Sequence, residues 1–110
     1  MVKPTYPKRF DVYWVNLDPT IGAEVKKTRP CVILSPDSMN QGLKTVLIAP
    51  MTTTMKNWPF RVPVTHKKNK GQVMLDQIRA VSKKRLHKPD GTVSAKVKTG
   101  ILECLKDMFA

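Results

Sequence analysis

Short apolar runs, some of them alternating with polar residues, predict strands over most of this chain. Residues 10–17 (FDVYWVNL) combine aromatic and β-branched residues with partial alternation, which is typical of a strand. Residues 30–35 (PCVILS) and 45–51 (TVLIAPM) are compact apolar runs between turn-forming residues, and they indicate two further strands. Pro50 lies near the end of the third strand, where it favours an edge or a bulge because proline cannot donate to the ladder.

The second half of the chain predicts two more strands and a helix. Residues 60–64 (FRVPV) indicate a short strand, and residues 72–82 (QVMLDQIRAVS) indicate the longest one, with Asp76 in its middle. Apolar residues recur at helical spacing after Ser94, which predicts a C-terminal amphipathic helix with Ser94 as its N-cap. Loops and turns are expected in the polar segments between these elements, which are residues 18–28, 36–42, 52–59 and 65–71.

These elements predict one mainly β domain that spans residues 1–110. About five short strands followed by one helix fit a small, strongly bent antiparallel sheet or half-open barrel that the helix caps.

The charge of the chain adds a class of partner to this fold. Its 110 residues include 20 lysines and arginines but 8 acidic residues, for a formal net charge of +12. A field of this strength favours nucleic acid first and an anionic membrane second. No apolar run reaches the length of a membrane span, and the N-terminus has no secretory apolar segment, so we expect a cytoplasmic protein without membrane contact.

Cysteine and histidine usage argues against a metal centre. Cys31 and Cys104 show no zinc-ligand spacing, and both are expected to be small core residues in a reducing compartment. His66 and His87 lie in polar basic segments, and nothing in their spacing brings them together. We therefore expect solvated surface histidines rather than an acid–base pair, and no metal or cofactor.

Strand direction predicts which loops meet. If the first three strands form an antiparallel meander, the loops after strands one and three lie at the same end of the sheet. This end gathers basic, acidic and hydroxyl side chains, namely Glu24, Lys26, Lys27, Arg29, Thr52, Thr53, Thr54 and Lys56, with Asp76 and Gln77 of the last strand nearby.

Pro30 biases Arg29 toward an extended backbone, so its side chain projects from a rigid strand start. Guanidinium, hydroxyl and ammonium groups form a phosphate-binding set, and without a Gly-rich phosphate loop the expected ligand is a nucleic-acid backbone.

Three segments of the chain resemble the MazF/PemK family of toxin endoribonucleases. They are DVYWVNLDPTIGAEVKKTRPCVILSP, APMTTTMKNWPF and GQVMLDQIRAV, and the pattern W-V-x-L-D-P-T-x-G-x-E followed by R-P-x-V-I-L-S-P is specific. The resemblance covers essentially the whole chain. It implies an SH3-like half-open barrel of about five to seven antiparallel strands with a C-terminal helix, assembled as a homodimer.

The resemblance also implies an activity. It is that of a type II toxin, a metal-independent endoribonuclease that cuts single-stranded RNA at short sequences through the 2′-hydroxyl and so blocks translation and growth. The implied inhibitor is an acidic antitoxin whose disordered tail folds on binding. The catalytic residues of the family map onto Arg29, Thr52 and Glu24. An aspartate that acts in the related Kid branch matches Asp76, but the arginine that accompanies it there falls at Met74, so that branch's acid–base pair is absent.

Each catalytic candidate has a chemical role and a simpler alternative. Arg29 can stabilise charge on the phosphorane through its guanidinium fork. Thr52 can donate its hydroxyl to a non-bridging oxygen, or it can bond to nearby backbone in a turn. Glu24 can accept the 2′-hydroxyl proton, or it can orient Arg29; both roles stay open.

The expected RNA-binding residues surround these candidates and are Lys26, Lys27, Thr53, Lys56, Trp58, Asp76 and Gln77. An exposed Trp58 can stack on a base. Asp76 and Gln77 can read a base edge, although Asp76 can instead pair with Arg29 or Arg79.

Two other functions compete with RNA cleavage. One is a non-enzymatic toxin of the CcdB type, which shares the fold and binds a protein, and the other is a basic RNA-binding module without activity. The R-P, MTTT and DQ features favour cleavage.

Overall fold

The computed structural model describes residues 6–24 and 27–110. Within these ranges the chain forms strands and two α-helices in the order β1 (Asp11–Asn16), β2 (Thr28–Ile33), α1 (Asp37–Gly42), β3 (Thr45–Thr52), β4 (Arg61–His66), β5 (Asn69–Met74), β6 (Arg79–Ser82), β7 (Leu86–Thr92) and α2 (Ala95–Met108).

The strands form one antiparallel sheet that curls into a half-open barrel. Their order is β4-β5-β3-β2-β1-β7, and β6 pairs with the first half of β3. The second half of β3 pairs instead with β5, through Met51 and Thr52. Because one strand holds different partners along its length, the sheet bends sharply there. The predicted mainly β half-open barrel with a C-terminal helix is confirmed, and β1, β2 and β3 form the expected meander.

The sheet buries apolar side chains on both faces. Successive side chains of a strand point to opposite faces, so Val32 belongs to one apolar cluster whereas Ile33 belongs to the other. Helix α2 covers the first face with Val97 and Ile101. Ser94 is the N-cap of this helix, as predicted, and its hydroxyl oxygen accepts a hydrogen bond of 3.3 Å from the Val97 amide.

The segment 72–82 is not one strand, contrary to the prediction. A 3-10 turn over Leu75–Gln77 divides it into β5 and β6, which pair with different halves of β3. A continuous apolar pattern cannot distinguish one long strand from two strands that meet at a corner, because both bury the same side chains. Asp76 therefore lies in a turn rather than in the middle of a strand.

Three other segments differ from the prediction. Residues 37–42 form a short helix in place of a turn, and Asn40 of this helix is fully buried. The predicted basic turn over residues 65–71 is shorter, because His66 pairs with Asn69 and only Lys67 and Lys68 form the turn, both with positive φ. Strand β7 has no counterpart in the prediction, since its side chains are mostly exposed and show no apolar alternation.

Candidate active site

Arg29 and Thr52 lie at neighbouring ends of β2 and β3. The register between these strands pairs Cys31 with Pro50. If this register continues for two more residues, Arg29 lies opposite Thr52, and their side chains are on the same face of the sheet. Both residues are partly buried, and both line one cavity of about 450 Å³. The structure thus brings together the two residues that strand direction had placed at one end of the sheet.

The position of Thr52 is fixed by two neighbours. Its Oγ1 accepts a 3.1 Å hydrogen bond from the Thr54 amide, the turn contact expected as the simpler alternative. This bond uses an oxygen lone pair, so the hydroxyl proton stays available for donation. A Cβ atom at Gly71 of β5 would overlap the Thr52 carbonyl oxygen and lie 3.1 Å from its carbonyl carbon. Glycine at position 71 therefore allows β5 to support the backbone of Thr52 directly.

The loop that follows Thr52 is held by a buried amide. Gln72 is only 5% exposed. Its Oε1 accepts a 3.0 Å hydrogen bond from the Lys56 amide, and its Nε2 donates a 2.8 Å bond to the Lys56 carbonyl. The backbone of the loop is thus tied to β5, while the side chains of Thr53 and Lys56 stay exposed.

The cavity beside Arg29 and Thr52 is bounded by the β4–β5 hairpin, and we call it the hairpin recess. Its lining combines apolar, basic, polar and acidic residues, namely Trp14, Arg29, Pro30, Met51, Thr52, Thr53, Val64, His66, Lys67, Asn69, Lys70, Gly71, Lys88 and Asp90. Apolar surface beside ammonium groups suits a ligand with flat rings and phosphates.

A second cavity, of about 320 Å³, adjoins the first along β3, and we call it the loop recess. It is lined by Ala23, Glu24, Pro50, Asp76, Gln77, Ile78 and Arg79. Pro50 lines the loop recess, whereas Met51 and Thr52, which follow it along β3, line the hairpin recess. Six of the predicted site residues are therefore divided between two neighbouring recesses, with Arg29, Thr52 and Thr53 in the hairpin recess and Glu24, Asp76 and Gln77 in the loop recess.

The buried Cys31 thiol lies within range of the charges of Arg29 and Arg79. Burial raises the pKa of the Cys31 thiol to about 12, against the opposing positive charges of Arg29 and Arg79. Cys31 is the register partner of Pro50, and Arg79 lines the loop recess. Arg29 thus lines the hairpin recess, and its positive charge also acts on the buried Cys31 thiol. A thiol with so high a pKa is inert as a nucleophile.

Glu24 is held by its own turn. Its Oε1 accepts a 2.6 Å hydrogen bond from the Ile21 amide, and its side chain lies at the exposed edge of the loop recess. The amide of Lys27 donates to Asp18 Oδ1, and Lys27 lines neither recess. Lys26 lies outside the described residues.

Asp76 has a different partner from either of those expected. Its carboxylate accepts bonds of 2.7 and 3.1 Å from Nε and Nη2 of Arg61. The Arg61 guanidinium also lies 4.6 Å from the centre of the Trp58 ring. The centres of the Trp58 and Phe60 rings are 5.4 Å apart. The Trp58 side chain is 43% exposed, and it lines neither recess. Asp76 thus connects the loop recess to a cation–aromatic stack on the surface.

His66 was expected to be a solvated surface residue, and this expectation is wrong. Its side chain is 16% exposed, and its Nε2 lies 3.0 Å from Asp90 Oδ2. Asp90 belongs to β7, the strand that the sequence prediction missed, so no local pattern could reveal the pair. His87 lines a different surface depression, with Trp14, Thr28 and Lys88.

The part of the chain that the structure describes shows neither a metal cluster nor a membrane-spanning helix. There, no group of three or more His, Cys, Asp and Glu side chains is arranged to hold a metal ion. In the same residues, no helix is long and apolar enough to cross a bilayer.

Comparisons with known proteins agree on one family. The family model described as PemK-like, MazF-like toxin of type II toxin-antitoxin system matches residues 8–109. The endoribonuclease toxin MazF of Escherichia coli K12 is 35% identical over 82 residues, which cover 74% of each chain. The endoribonuclease MazF9 of Mycobacterium tuberculosis H37Rv is 32% identical over 109 residues, covering 90% of this chain and 92% of that one. The crystal structure of MazF (form I) from Deinococcus radiodurans superposes with a TM-score of 0.85 at 25% identity, covering 96% and 98% of the two chains.

Proposed function

This chain belongs to the PemK-like, MazF-like family of toxins of type II toxin–antitoxin systems, and from that premise we propose how it acts as an endoribonuclease on single-stranded RNA. The observation that carries the proposal is the placement of Arg29 opposite Thr52, between two recesses that can each hold part of an RNA strand. We take the whole chain, residues 1–110, to be one such domain.

The reaction requires little from the protein because RNA carries its own nucleophile. The 2′-oxygen forms a bond to the adjacent phosphorus, and the bond from phosphorus to the 5′-oxygen breaks. The 5′-oxygen leaves with the bonding electrons and takes a proton from water. The products are a 2′,3′-cyclic phosphate and a 5′-hydroxyl group. Arg29 stabilises the charge of the phosphorane through two parallel hydrogen bonds, and Thr52 donates its hydroxyl proton to a non-bridging oxygen.

The proton of the 2′-hydroxyl needs an acceptor. Glu24 is the carboxylate that the family resemblance assigns to this site, and it lines the loop recess, which adjoins Thr52 along β3. Its bond to the Ile21 amide uses one carboxylate oxygen and leaves the other as an acceptor. Glu24 therefore serves either as the base or as the group that orients Arg29.

The RNA strand crosses the end of the sheet with one flanking nucleotide toward each recess. The net charge of +12 draws the polyanion to this surface. Thr53 lies on the hairpin side of the scissile phosphate, and Asp76 and Gln77 lie on the loop side, where they contact a base. Lys26, Lys27, Lys56 and Trp58 contact the strand outside the recesses, the lysines through phosphates and Trp58 by stacking.

Cleavage in the presence of a chelator tests this function. Purified protein is expected to cut a long unstructured RNA in EDTA, and the fragments are expected to carry 5′-hydroxyl and 2′,3′-cyclic phosphate ends. Activity that disappears in EDTA and returns with magnesium would contradict the metal-independent reaction. Binding of RNA without any cleavage would favour the RNA-binding module. A protein that neither binds nor cleaves RNA would favour a toxin that acts on another protein.

The partners follow from the same surface. We propose a cytoplasmic homodimer, since a barrel this small leaves sheet edges that a second copy can cover. Sedimentation that shows only a 12.5 kDa species at micromolar concentration would contradict the dimer.

We further propose an acidic antitoxin whose disordered tail folds along the RNA path, so that it competes with RNA and associates more slowly at high salt. A bound tail that leaves cleavage unimpeded would contradict this mode of inhibition.

A further inference from the structure

His66 and Asp90 join the two edges of the barrel inside the hairpin recess. Strands β4 and β7 end the sheet on opposite sides, and the 3.0 Å contact between His66 Nε2 and Asp90 Oδ2 connects them. Lys67 pairs with the other carboxylate oxygen of Asp90. The hydrogen bonds from Lys67 and His66, with the Lys67 bond the stronger influence, hold the pKa of the Asp90 carboxyl below its usual value.

This arrangement fixes the tautomer of His66. An ionised carboxylate only accepts hydrogen bonds, so Nε2 must carry the proton, and in the neutral ring Nδ1 is then an acceptor. Within residues 6–24 and 27–110, no hydrogen bond engages Nδ1. In the same ranges every fully buried side-chain nitrogen has a hydrogen-bond partner, so Nδ1, which has none, is not fully buried. Nδ1 is therefore accessible to solvent, on a residue that lines the hairpin recess.

The rest of the recess suits one unpaired nucleotide. Its volume of about 450 Å³ is in the range of small-molecule sites. Trp14, Met51 and Val64 offer apolar surface to the faces of a base, and Lys70 and Lys88 offer ammonium groups to its phosphates. The recess therefore supplies stacking and charge without regard to the base, and His66 supplies a group that can distinguish one base from another.

We propose that the hairpin recess holds the base of one nucleotide that flanks the cut, and that His66 Nδ1 accepts a hydrogen bond from its exocyclic amino group. This inference rests on the proposed function. Cytosine and uracil are a matched pair for this contact, since one presents an amino group where the other presents a carbonyl oxygen. An acceptor at Nδ1 favours cytosine and repels uracil.

The experiment measures cleavage of RNAs that differ only by cytosine or uracil at each position flanking the cut. At about pH 8, the protein is expected to prefer cytosine at one flanking position by about tenfold. The preference is expected to be lost in His66→Phe, which keeps a flat ring but has no acceptor, and to weaken in Asp90→Asn, which releases the tautomer. His87→Phe is the matched control outside the recess and is expected to keep the preference.

Several results would overturn the inference. A cytosine preference that is absent at every flanking position, or that His66→Phe leaves unchanged while cleavage continues, contradicts the role of His66 but leaves the proposed function intact. Absence of cleavage by the unmodified protein contradicts both. If His66→Phe does not fold, Asp90→Asn decides, and a cytosine preference that Asp90→Asn leaves unchanged contradicts the role of His66.

Discussion

Arg29→Ala is expected to lower the rate of RNA cleavage by about 10²-fold or more, as the loss of one transition-state donor does. Arg29 lies opposite Thr52 in the extended register of β2 and β3 and lines the hairpin recess, and the proposed reaction places the scissile phosphate beside these two residues. Arg29→Lys is expected to restore little of the rate, because an ammonium group is a point charge and cannot form two parallel bonds to a phosphorane. Single-turnover cleavage of a short RNA with one cut site measures both effects.

Arg9→Ala provides the matched control for this measurement. Arg9 is exposed, and its guanidinium lies over the ring of Phe10 rather than in either recess. This variant removes the same charge from the chain and is expected to cleave at close to the original rate. An Arg29→Ala protein that cleaves as fast as Arg9→Ala would show that Arg29 is not catalytic.

Replacement of the 2′-hydroxyl by hydrogen on the 5′ side of the cut is expected to abolish cleavage at that bond. The hydroxyl oxygen is the nucleophile of the proposed reaction. The neighbouring Cys31 thiol does not take its place, because its pKa of about 12 keeps it protonated and it is buried. The measurement uses an RNA with a single deoxynucleotide and follows both product fragments by length.

The same deoxynucleotide placed one position further from the cut is the control, and there cleavage is expected to continue. If the RNA with the deoxynucleotide at the cut is still cleaved at the same bond, water or a protein group must be the nucleophile. The proposed reaction would then be wrong even if Arg29 and Thr52 prove essential.

Local sequence was sufficient to predict which segments meet at the candidate site, whereas the family resemblance singled out Thr52 among the three threonines 52–54. The meander of β1, β2 and β3 follows from three apolar segments separated by turn-forming residues, and strand direction alone then places Arg29 near Thr52. The resemblance to MazF and PemK toxins gave the fold and the family, and both are confirmed. The roles of the individual site residues stay predictions that mutagenesis must test.

Contacts between distant segments could not be predicted in this way. The pair of Asp76 with Arg61 depends on the corner between β5 and β6, which the apolar pattern conceals. The pair of His66 with Asp90 depends on β7, a polar strand whose position comes from the curl of the whole sheet. Periodicity reports which face of a strand is buried, but it does not report which strands become neighbours when a sheet closes.

The close approach of Gly71 to Thr52 has a genetic consequence. Any side chain at position 71 would displace the Thr52 carbonyl, although the residue lies on a different strand from every proposed catalytic group. Among cells that survive high expression of the intact reading frame, replacements at codon 71 should therefore recur beside those at codons 29 and 52. A glycine that contributes no chemistry would then be as frequent a route to escape from toxicity as the arginine that does.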